Sequence, residues 1–175
     1  PDTSRAKRVV LVGLGSAKTI DAERLRAAAA QGAQAAINAK AKTVGIVMPD
    51  NSLEAEAASQ ALVEGFVLGS YRFGRYKTGD ENGFEGAERL VLHAEQDEKV
   101  ARRGAERGRI VAESVMTARD LVNISPDEKT PTLLSRAIEK SAKKYGYEIE
   151  VWDKRMIEEE GMRGLLAVNR GSIEP

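Results

Sequence analysis

Residues 118–131 read Ala-Arg-Asp-Leu-Val-Asn-Ile-Ser-Pro-Asp-Glu-Lys-Thr-Pro and separate two patterns of strand and helix signals. Ser125 before Pro126 predicts the end of a helix, because a residue that precedes proline is disfavoured in the α conformation. Thr130 before Pro131 predicts the start of the next helix, with threonine as N-cap and proline at the first helical position. The stretch therefore predicts a hinge between two α/β units.

The part ahead of the hinge predicts a parallel sheet covered by helices. Short apolar runs predict a buried strand at 8–12 and two further strands at 43–48 and 89–93. Helical patterns follow the first two strands, at 21–42 with Asp21 as N-cap and at 51–71 with Asn51 as cap. Successive βα units imply a parallel sheet with right-handed crossovers.

A single long helix, residues 97–122, is predicted to lead into the hinge. At 1.5 Å per residue it would span about 39 Å, which suits a connector. Its two faces differ in composition. One face carries Val100, Gly104, Gly108, Val111 and Val115, and the other carries Lys99, Arg102, Arg103, Glu106, Arg107, Arg109 and Glu113.

Behind the hinge, the pattern predicts the opening of a second α/β unit. A helix is expected at 131–144 and ends at Gly146. Alternating residues at 147–152 predict a half-exposed or edge strand. Asp153 is expected to cap a short helix at 154–160, and residues 165–168 are expected to form a last strand.

Composition excludes several classes of site. The 175 residues contain no cysteine, which removes disulfides, thiolate catalysis and cysteine-based zinc sites. Lys plus Arg equals Asp plus Glu at 27 each, so bulk charge supports neither a nucleic-acid nor a membrane-surface role. No apolar run approaches the roughly 18 residues that would cross a bilayer.

Gly13-Leu14-Gly15-Ser16 follows the first predicted strand as a candidate nucleotide-binding turn. A dinucleotide fingerprint needs a third small residue at position 18, and the residue there is Lys18. A plain strand-to-helix turn is therefore favoured over nucleotide binding.

Two basic segments are candidates for nucleic-acid contact. Arg72, Arg75 and Lys77 alternate with aromatics, a pattern that stacks on single strands or pins a loop to the protein body, and the pinned loop is favoured. The run from Arg102 to Arg109 is the best electropositive surface. A solvated helix face or a subunit interface is favoured there over nucleic acid.

Two further sets of residues are considered as metal or catalytic groups. His93 is the only histidine and has no cysteine or second histidine to help it bind a metal. Glu158, Glu159 and Glu160 are consecutive on a predicted helix, so they point in three directions and favour a solvated helix end. We therefore assign no catalytic, cofactor-binding or metal-binding residue within the chain.

Several runs resemble the leucyl (cytosol) aminopeptidase family and occur in its order. The specific ones are residues 118–123 (Ala-Arg-Asp-Leu-Val-Asn), Pro126, residues 129–132 (Lys-Thr-Pro-Thr), Gly161-Met162, and residues 166–172 (Leu-Ala-Val-Asn-Arg-Gly-Ser) with Glu174 and Pro175. Residues 7–15 and the Tyr71-Arg72-Phe73 run with Tyr76-Lys77 add weaker support. Asp127 and Asn169 stand where the family often has Asn and Gly, and asparagine tolerates the backbone of glycine better than most residues.

The resemblance implies an α/β fold, with a macro-like three-layer αβα N-terminal domain present in part (1–96). A connecting helix (97–123) and the first part of the catalytic α/β domain (124–175) would follow. The parent would be a cytoplasmic homo-hexamer that removes N-terminal residues from peptides with two divalent metals, zinc or manganese. The family's metal and catalytic motifs lie downstream of these residues. This chain is therefore expected to be a trimmed portion that binds no metal and is inactive alone.

An alternative remains open beside the peptidase portion. The chain would then be a nucleic-acid-binding or assembly module of the same parent, without chemistry of its own. No membrane role is expected.

Overall fold

A computed structural model describes residues 6–50, 53–78, 86–95 and 98–172. The chain divides into two compact units, Pro1–Arg119 and Asp120–Pro175. The first unit contains a short 3-10 turn at Ala17–Thr19 and then, in order, α1 (Ala22–Asn38), β1 (Thr43–Val47), α2 (Ala55–Gly69), β2 (Arg89–His93) and most of α3 (Glu98–Asn123). The second contains α4 (Pro131–Tyr145), α5 (Lys154–Glu159) and α6 (Arg163–Asn169).

The sheet of the described residues consists of β1 and β2, which run parallel in a register from Thr43 opposite Arg89 to Val47 opposite His93. Along both strands, side chains alternate between exposed and partly buried, so every second side chain points into the core. The inward set packs against a cluster built from both α1 and α2, and it comprises Val44, Ile46, Leu90 and Leu92. The α/β class is therefore confirmed, with one helical layer described on one side of the sheet. A further layer on the other side stays a prediction.

Helix α1 begins where the sequence indicates and ends earlier than predicted. Asp21 caps it by accepting a hydrogen bond from the backbone N–H of Arg24 at 2.8 Å. The helix ends at Asn38 because Lys40 adopts a left-handed backbone with φ of 51°. Helix α2 begins at Ala55, and the predicted cap Asn51 lies outside the described residues.

The three helices of the first unit approach one another through glycines. A Cβ on Gly69 of α2 would stand 2.6 Å from the Cα of Ala30 on α1. A Cβ on Gly108 of α3 would stand 2.6 Å from the carbonyl oxygen of Gln60 on α2. Separations this short leave no room for a side chain, so α2 lies against α1 on one flank and against α3 on another.

Residues 8–12 do not form the predicted strand. They lie outside any ladder, and the side chains of Val9, Val10 and Leu11 are exposed, with Leu11 93% accessible. A β-strand needs a partner for its backbone hydrogen bonds, and the described residues supply none for this run. The β-branched composition of the run predicted an extended backbone, but composition does not show whether a neighbouring strand is present to pair with it.

Two strand predictions in the second unit are also wrong. Residues 165–168 lie inside α6, since Leu and Ala are strong helix formers and a four-residue apolar run does not distinguish strand from helix. Residues 147–152 are irregular, with no described strand beside them. The alternation predicted a half-exposed or edge strand, whereas the apolar side chains of Tyr147, Ile149 and Val151 are exposed as well, and no ladder accompanies them.

The caps around the hinge are confirmed. Helix α3 ends at Asn123, and Thr130 accepts a hydrogen bond from the backbone N–H of Leu133 at 3.3 Å to start α4. Gly146 ends α4 in the left-handed conformation, and Asp153 caps α5. The only buried apolar side chains among the described residues of this unit are Ile124 and Ala142. None of the described helices is both long and apolar enough to cross a bilayer.

Candidate functional site

Helix α3 presents one face to α2 and the opposite face to solvent. The buried face consists of Ala101, Gly104, Gly108 and Ala112, at the three- and four-residue spacing of one helix side. The sequence predicted Val111 on this face, but Val111 is 39% exposed and Ala112 is buried instead. The register differs because the close approach to α2 excludes a branched side chain and admits alanine and glycine.

The solvent face of α3 carries an open groove of about 650 Å³, which we name the α3 groove. Its walls are seven side chains of this helix: Lys99, Arg102, Arg103, Glu106, Arg107, Ile110 and Val111. Four of them are cations and one is an anion, so the groove has an excess of positive charge beside an apolar end. The strongest basic run of the sequence is thus confirmed as an exposed surface.

Ion pairs fix part of the charge around the α3 groove. Arg103 contacts Glu56 of α2 at 3.1 Å, which ties the groove to the neighbouring helix. Arg109 bonds Glu106 at 2.6 Å and Glu113 at 2.7 Å along α3 itself. The hydrogen bond from Arg109 holds the pKa of the Glu106 carboxyl below its ordinary value, and the two carboxylates raise the pKa of Arg109. Within this network Glu106 is directed to Arg109.

The basic-aromatic segment after α2 contacts α3 through the ring of Tyr71. The guanidinium of Arg119 lies 5.5 Å from the centroid of the Tyr71 ring, a cation–π contact. Phe73 and Tyr76 meet edge to face with centroids 5.7 Å apart. The first contact agrees with a loop pinned at Tyr71, whereas the second lies within the segment itself, where Tyr76 is 47% exposed. Arg72, Arg75 and Lys77 are exposed, and nucleic-acid binding by them stays a hypothesis.

The Gly13–Gly15 turn borders a small cleft of about 260 Å³ against α1. Gly15 has φ of 79°, and a Cβ there would stand 3.0 Å from the guanidinium of Arg24. Arg24 donates to the hydroxyl of Thr19 at 2.6 Å. A dinucleotide site needs the helix N-terminus directly behind the turn, and here the 3-10 turn Ala17–Thr19 intervenes. The geometry favours a plain connecting turn, as the sequence did.

The other candidate residues, His93 in the first unit and residues 158–160 in the second, are each exposed. His93 is exposed at the end of β2, where its backbone carbonyl accepts from the N–H of Met48 at 2.9 Å. Glu158, Glu159 and Glu160 are all exposed, and Glu159 pairs with Arg155 at 3.2 Å. Within the described ranges, no group of three or more His, Asp or Glu residues could hold a metal.

Two features escaped the sequence analysis. Glu64 is buried on α2 beside Arg26 of α1, at 2.9 Å, and nothing in the spacing distinguishes it from an exposed glutamate. The apolar end of the α3 groove was missed because Ile110 was not placed on either face and Val111 was placed on the buried one. A helical wheel centred on Gly104 and Gly108 places Ile110 on the exposed side but leaves Val111 near the buried face, so the exposure of Val111 depends on how α3 packs against α2.

The comparisons with known proteins match both units. The N-terminal domain of the cytosol aminopeptidase family matches residues 1–80, and the catalytic domain of the same family matches residues 116–175. A probable cytosol aminopeptidase of Alkaliphilus oremlandii is 33% identical over 174 residues, and one of Geobacter sp. is 35% identical over 171 residues. Each alignment covers 97% of this chain and 35% of the relative.

A solved structure gives the same correspondence in three dimensions. The bottromycin maturation enzyme BotP, solved in complex with Mn, superposes with a TM-score of 0.82 at 32% identity. The match covers 94% of this chain and 34% of BotP, so the chain spans about a third of the length of the relatives that it matches. On the two domain matches, taken with relatives that align along nearly all of it, the chain belongs to the cytosol aminopeptidase family.

Proposed function

We propose that this chain is a portion of a metal-dependent leucyl aminopeptidase, which releases N-terminal amino acids from peptides, and that the catalytic centre lies outside it. The observation that carries the proposal is the match of residues 116–175 to the family's catalytic domain in a chain that spans 35% of its relatives. The second unit supports it, because apolar side chains such as Leu165 and Val168 are exposed there while Ile124 and Ala142 are its buried ones among the described residues.

The parent enzyme is proposed to use two divalent metals, zinc or manganese, and to act in the cytoplasm as a homo-hexamer. BotP in complex with Mn supports a metal in this family. Two metals would polarise the scissile carbonyl and make a bridging water nucleophilic. The described residues lack a ligand cluster that fits such a pair, so no metal role is assigned to them and no catalytic step is derived.

Hydrolysis of leucine p-nitroanilide tests where the catalytic centre lies. The 175-residue chain is assayed with added Mn²⁺ or Zn²⁺ beside a full-length member of the family as positive control. We expect turnover by the full-length enzyme and none by this chain. Chelator-sensitive turnover that co-elutes with the chain and scales with its concentration would show that the centre lies within it.

The alternative is a nucleic-acid-binding or assembly role for the same chain, without chemistry. The observation that favours it is the exposed basic surface of α3. Fluorescence anisotropy with duplex DNA at several salt concentrations tests the first role, since phosphate contacts give a steep salt dependence. Light scattering coupled to size-exclusion chromatography tests the assembly role. If the chain is monomeric and does not bind DNA at low salt, both the nucleic-acid-binding role and the assembly role are excluded.

A further inference from the structure

The α3 groove has the shape into which a second helix packs. Its walls are two rows of side chains at four-residue spacing. One row is Lys99, Arg103, Arg107 and Val111, and the other is Arg102, Glu106 and Ile110. Rows at this spacing form the ridges of a helix, and the space between two rows receives a ridge of a neighbouring helix. From position 99 to position 111 the groove extends about 18 Å, which matches about three turns of a partner helix.

The charge of the α3 groove selects an acidic partner. Arg103 is paired with Glu56, and Glu106 is bonded to Arg109 outside the groove. Arg102 and Arg107 make no ion pair with any of the residues that the structure describes. Arg102 and Arg107 therefore remain as cations in the walls of the groove, and no carboxylate of the groove is left to neutralise them.

The apolar end of the α3 groove selects a helix over nucleic acid. Ile110 is 53% exposed and Val111 is 39% exposed, side by side in the last turn of the groove. A phosphodiester backbone has no apolar surface with which to bury these aliphatic groups. An amphipathic helix satisfies both halves of the groove, because aliphatic residues on one face bury Ile110 and Val111 while carboxylates flank them.

We propose that the α3 groove binds an acidic amphipathic helix of a partner protein. Its carboxylates contact Arg102 and Arg107, and its aliphatic face covers Ile110 and Val111. This is helix-in-groove recognition, in which apolar anchors give affinity and flanking charges give orientation and partner choice. The proposal is independent of where the catalytic centre lies, since all the residues of the groove belong to the first unit.

A designed peptide tests the proposal. The probe is a fluorescein-labelled peptide of about 18 residues, with Leu at every third or fourth position and Glu on both flanks. A scrambled peptide of the same composition and a duplex DNA of similar length serve as comparisons. Fluorescence anisotropy at low and high salt is expected to show binding of the amphipathic peptide that weakens with salt and exceeds that of the scrambled peptide.

Variants locate the binding surface. Replacing Arg102→Glu together with Arg107→Glu should weaken peptide binding about tenfold or more, and Ile110→Ser should weaken it as well. The matched control is Arg136→Glu with Lys140→Glu, two exposed cations on α4 with the same change of charge, which should alter binding less than about twofold. Circular dichroism checks folding, and Arg102→Gln with Arg107→Gln repeats the test without added negative charge.

Three results would overturn the proposal. Equal binding of the scrambled peptide would remove the need for an amphipathic helix. Equal losses in the α3 and α4 double variants would show attraction by net charge alone. Tighter binding of duplex DNA, abolished by the Arg102 and Arg107 changes, would assign the groove to nucleic acid.

Discussion

The buried carboxylate of Glu64 on α2 accepts a hydrogen bond from Nε of Arg26 on α1 at 2.9 Å. Its other oxygen accepts from the side-chain amide of Gln60 at 2.6 Å. Both oxygens are thereby satisfied, and no buried side-chain polar atom lacks a partner in the described part of the chain. Since an unpaired buried charge is costly, this arrangement makes α1 and α2 depend on each other.

Removing Glu64 should therefore weaken the first unit. We expect Glu64→Ala to lower the free energy of unfolding by about 1–3 kcal/mol, less than for a fully buried pair because Arg26 is one-third exposed and still reaches Glu23. Urea denaturation measures the change. Glu23→Gln, at a position whose side chain is 77% exposed, is the control and should cost less than about 0.5 kcal/mol. Equal effects of the two changes would contradict this account.

Gly104 is expected to tolerate no side chain. A Cβ there would overlap the carbonyl oxygen of Glu56 and stand 2.9 Å from its carbonyl carbon, and both atoms belong to backbone that cannot rotate away. We expect Gly104→Ala to lower the free energy of unfolding by about 1–3 kcal/mol or more.

Gly32 is the matched control for Gly104, because it also lies inside a helix but a Cβ there meets nothing within 4 Å. Gly32→Ala should raise the free energy of unfolding by about 0.5–1 kcal/mol, since alanine has the better helix propensity. Thermal unfolding of both variants checks the opposite signs. A loss of stability at both sites would mean that the glycine contact with Glu56 does not decide the outcome.

The two left-handed helix ends should respond in opposite directions to exchange of glycine. Gly146 ends α4 with φ of 75°, so Gly146→Ala should cost about 1 kcal/mol of stability. Lys40, just after α1, has φ of 51° and carries a Cβ in the same region, so Lys40→Gly should stabilise by about 0.5–1 kcal/mol. Chemical denaturation of the two variants is the measurement. Destabilisation by Lys40→Gly would show that its side-chain contacts outweigh the relief of backbone strain.

The Glu106–Arg109 contact predicts a pH dependence. Because the folded pKa of Glu106 is lowered, the contact stabilises the folded chain above the ordinary carboxyl pKa near 4.5 and loses that effect as the pH falls through the folded pKa. Carbon-detected NMR titration should show the Glu106 pKa below 4.5 in the unmodified chain. Arg109→Gln should move it back upward, while Arg155→Gln, on another helix, should leave it unchanged. An unchanged Glu106 pKa in Arg109→Gln would remove Arg109 as the cause.

Local signals in the sequence predicted most of the helices and two strands of this fold. Asp21, Thr130 and Asp153 act within three residues of themselves, so their caps could be recognised without knowing what packs nearby. The errors at 8–12 and 147–152 concern ladders, which depend on distant residues. The predicted surface at Arg102 to Arg109 was located correctly, whereas its apolar end depended on which face α2 covers.

Glu64 shows the same limit for single residues. Its burial results from α1 lying across α2 at glycines, and the sequence around it reads as an ordinary helical segment. Which side chains are buried between two helices depends on the distance between the helix axes, and that distance is set by the residues of both helices. The resemblance to the family could be recognised from runs such as 118–123, because matching a sequence motif does not require knowledge of tertiary packing.

The uneven distribution of buried side chains predicts how fast backbone amides exchange with solvent. In α2 the residues from Ala61 to Phe66 are all buried, so opening that helix requires most of the first unit to open with it. In α5 and α6 no residue is buried, and local opening there exposes little new apolar surface. Deuterium should therefore enter α5 and α6 first and reach the middle of α2 last, at a rate set by global unfolding of the first unit.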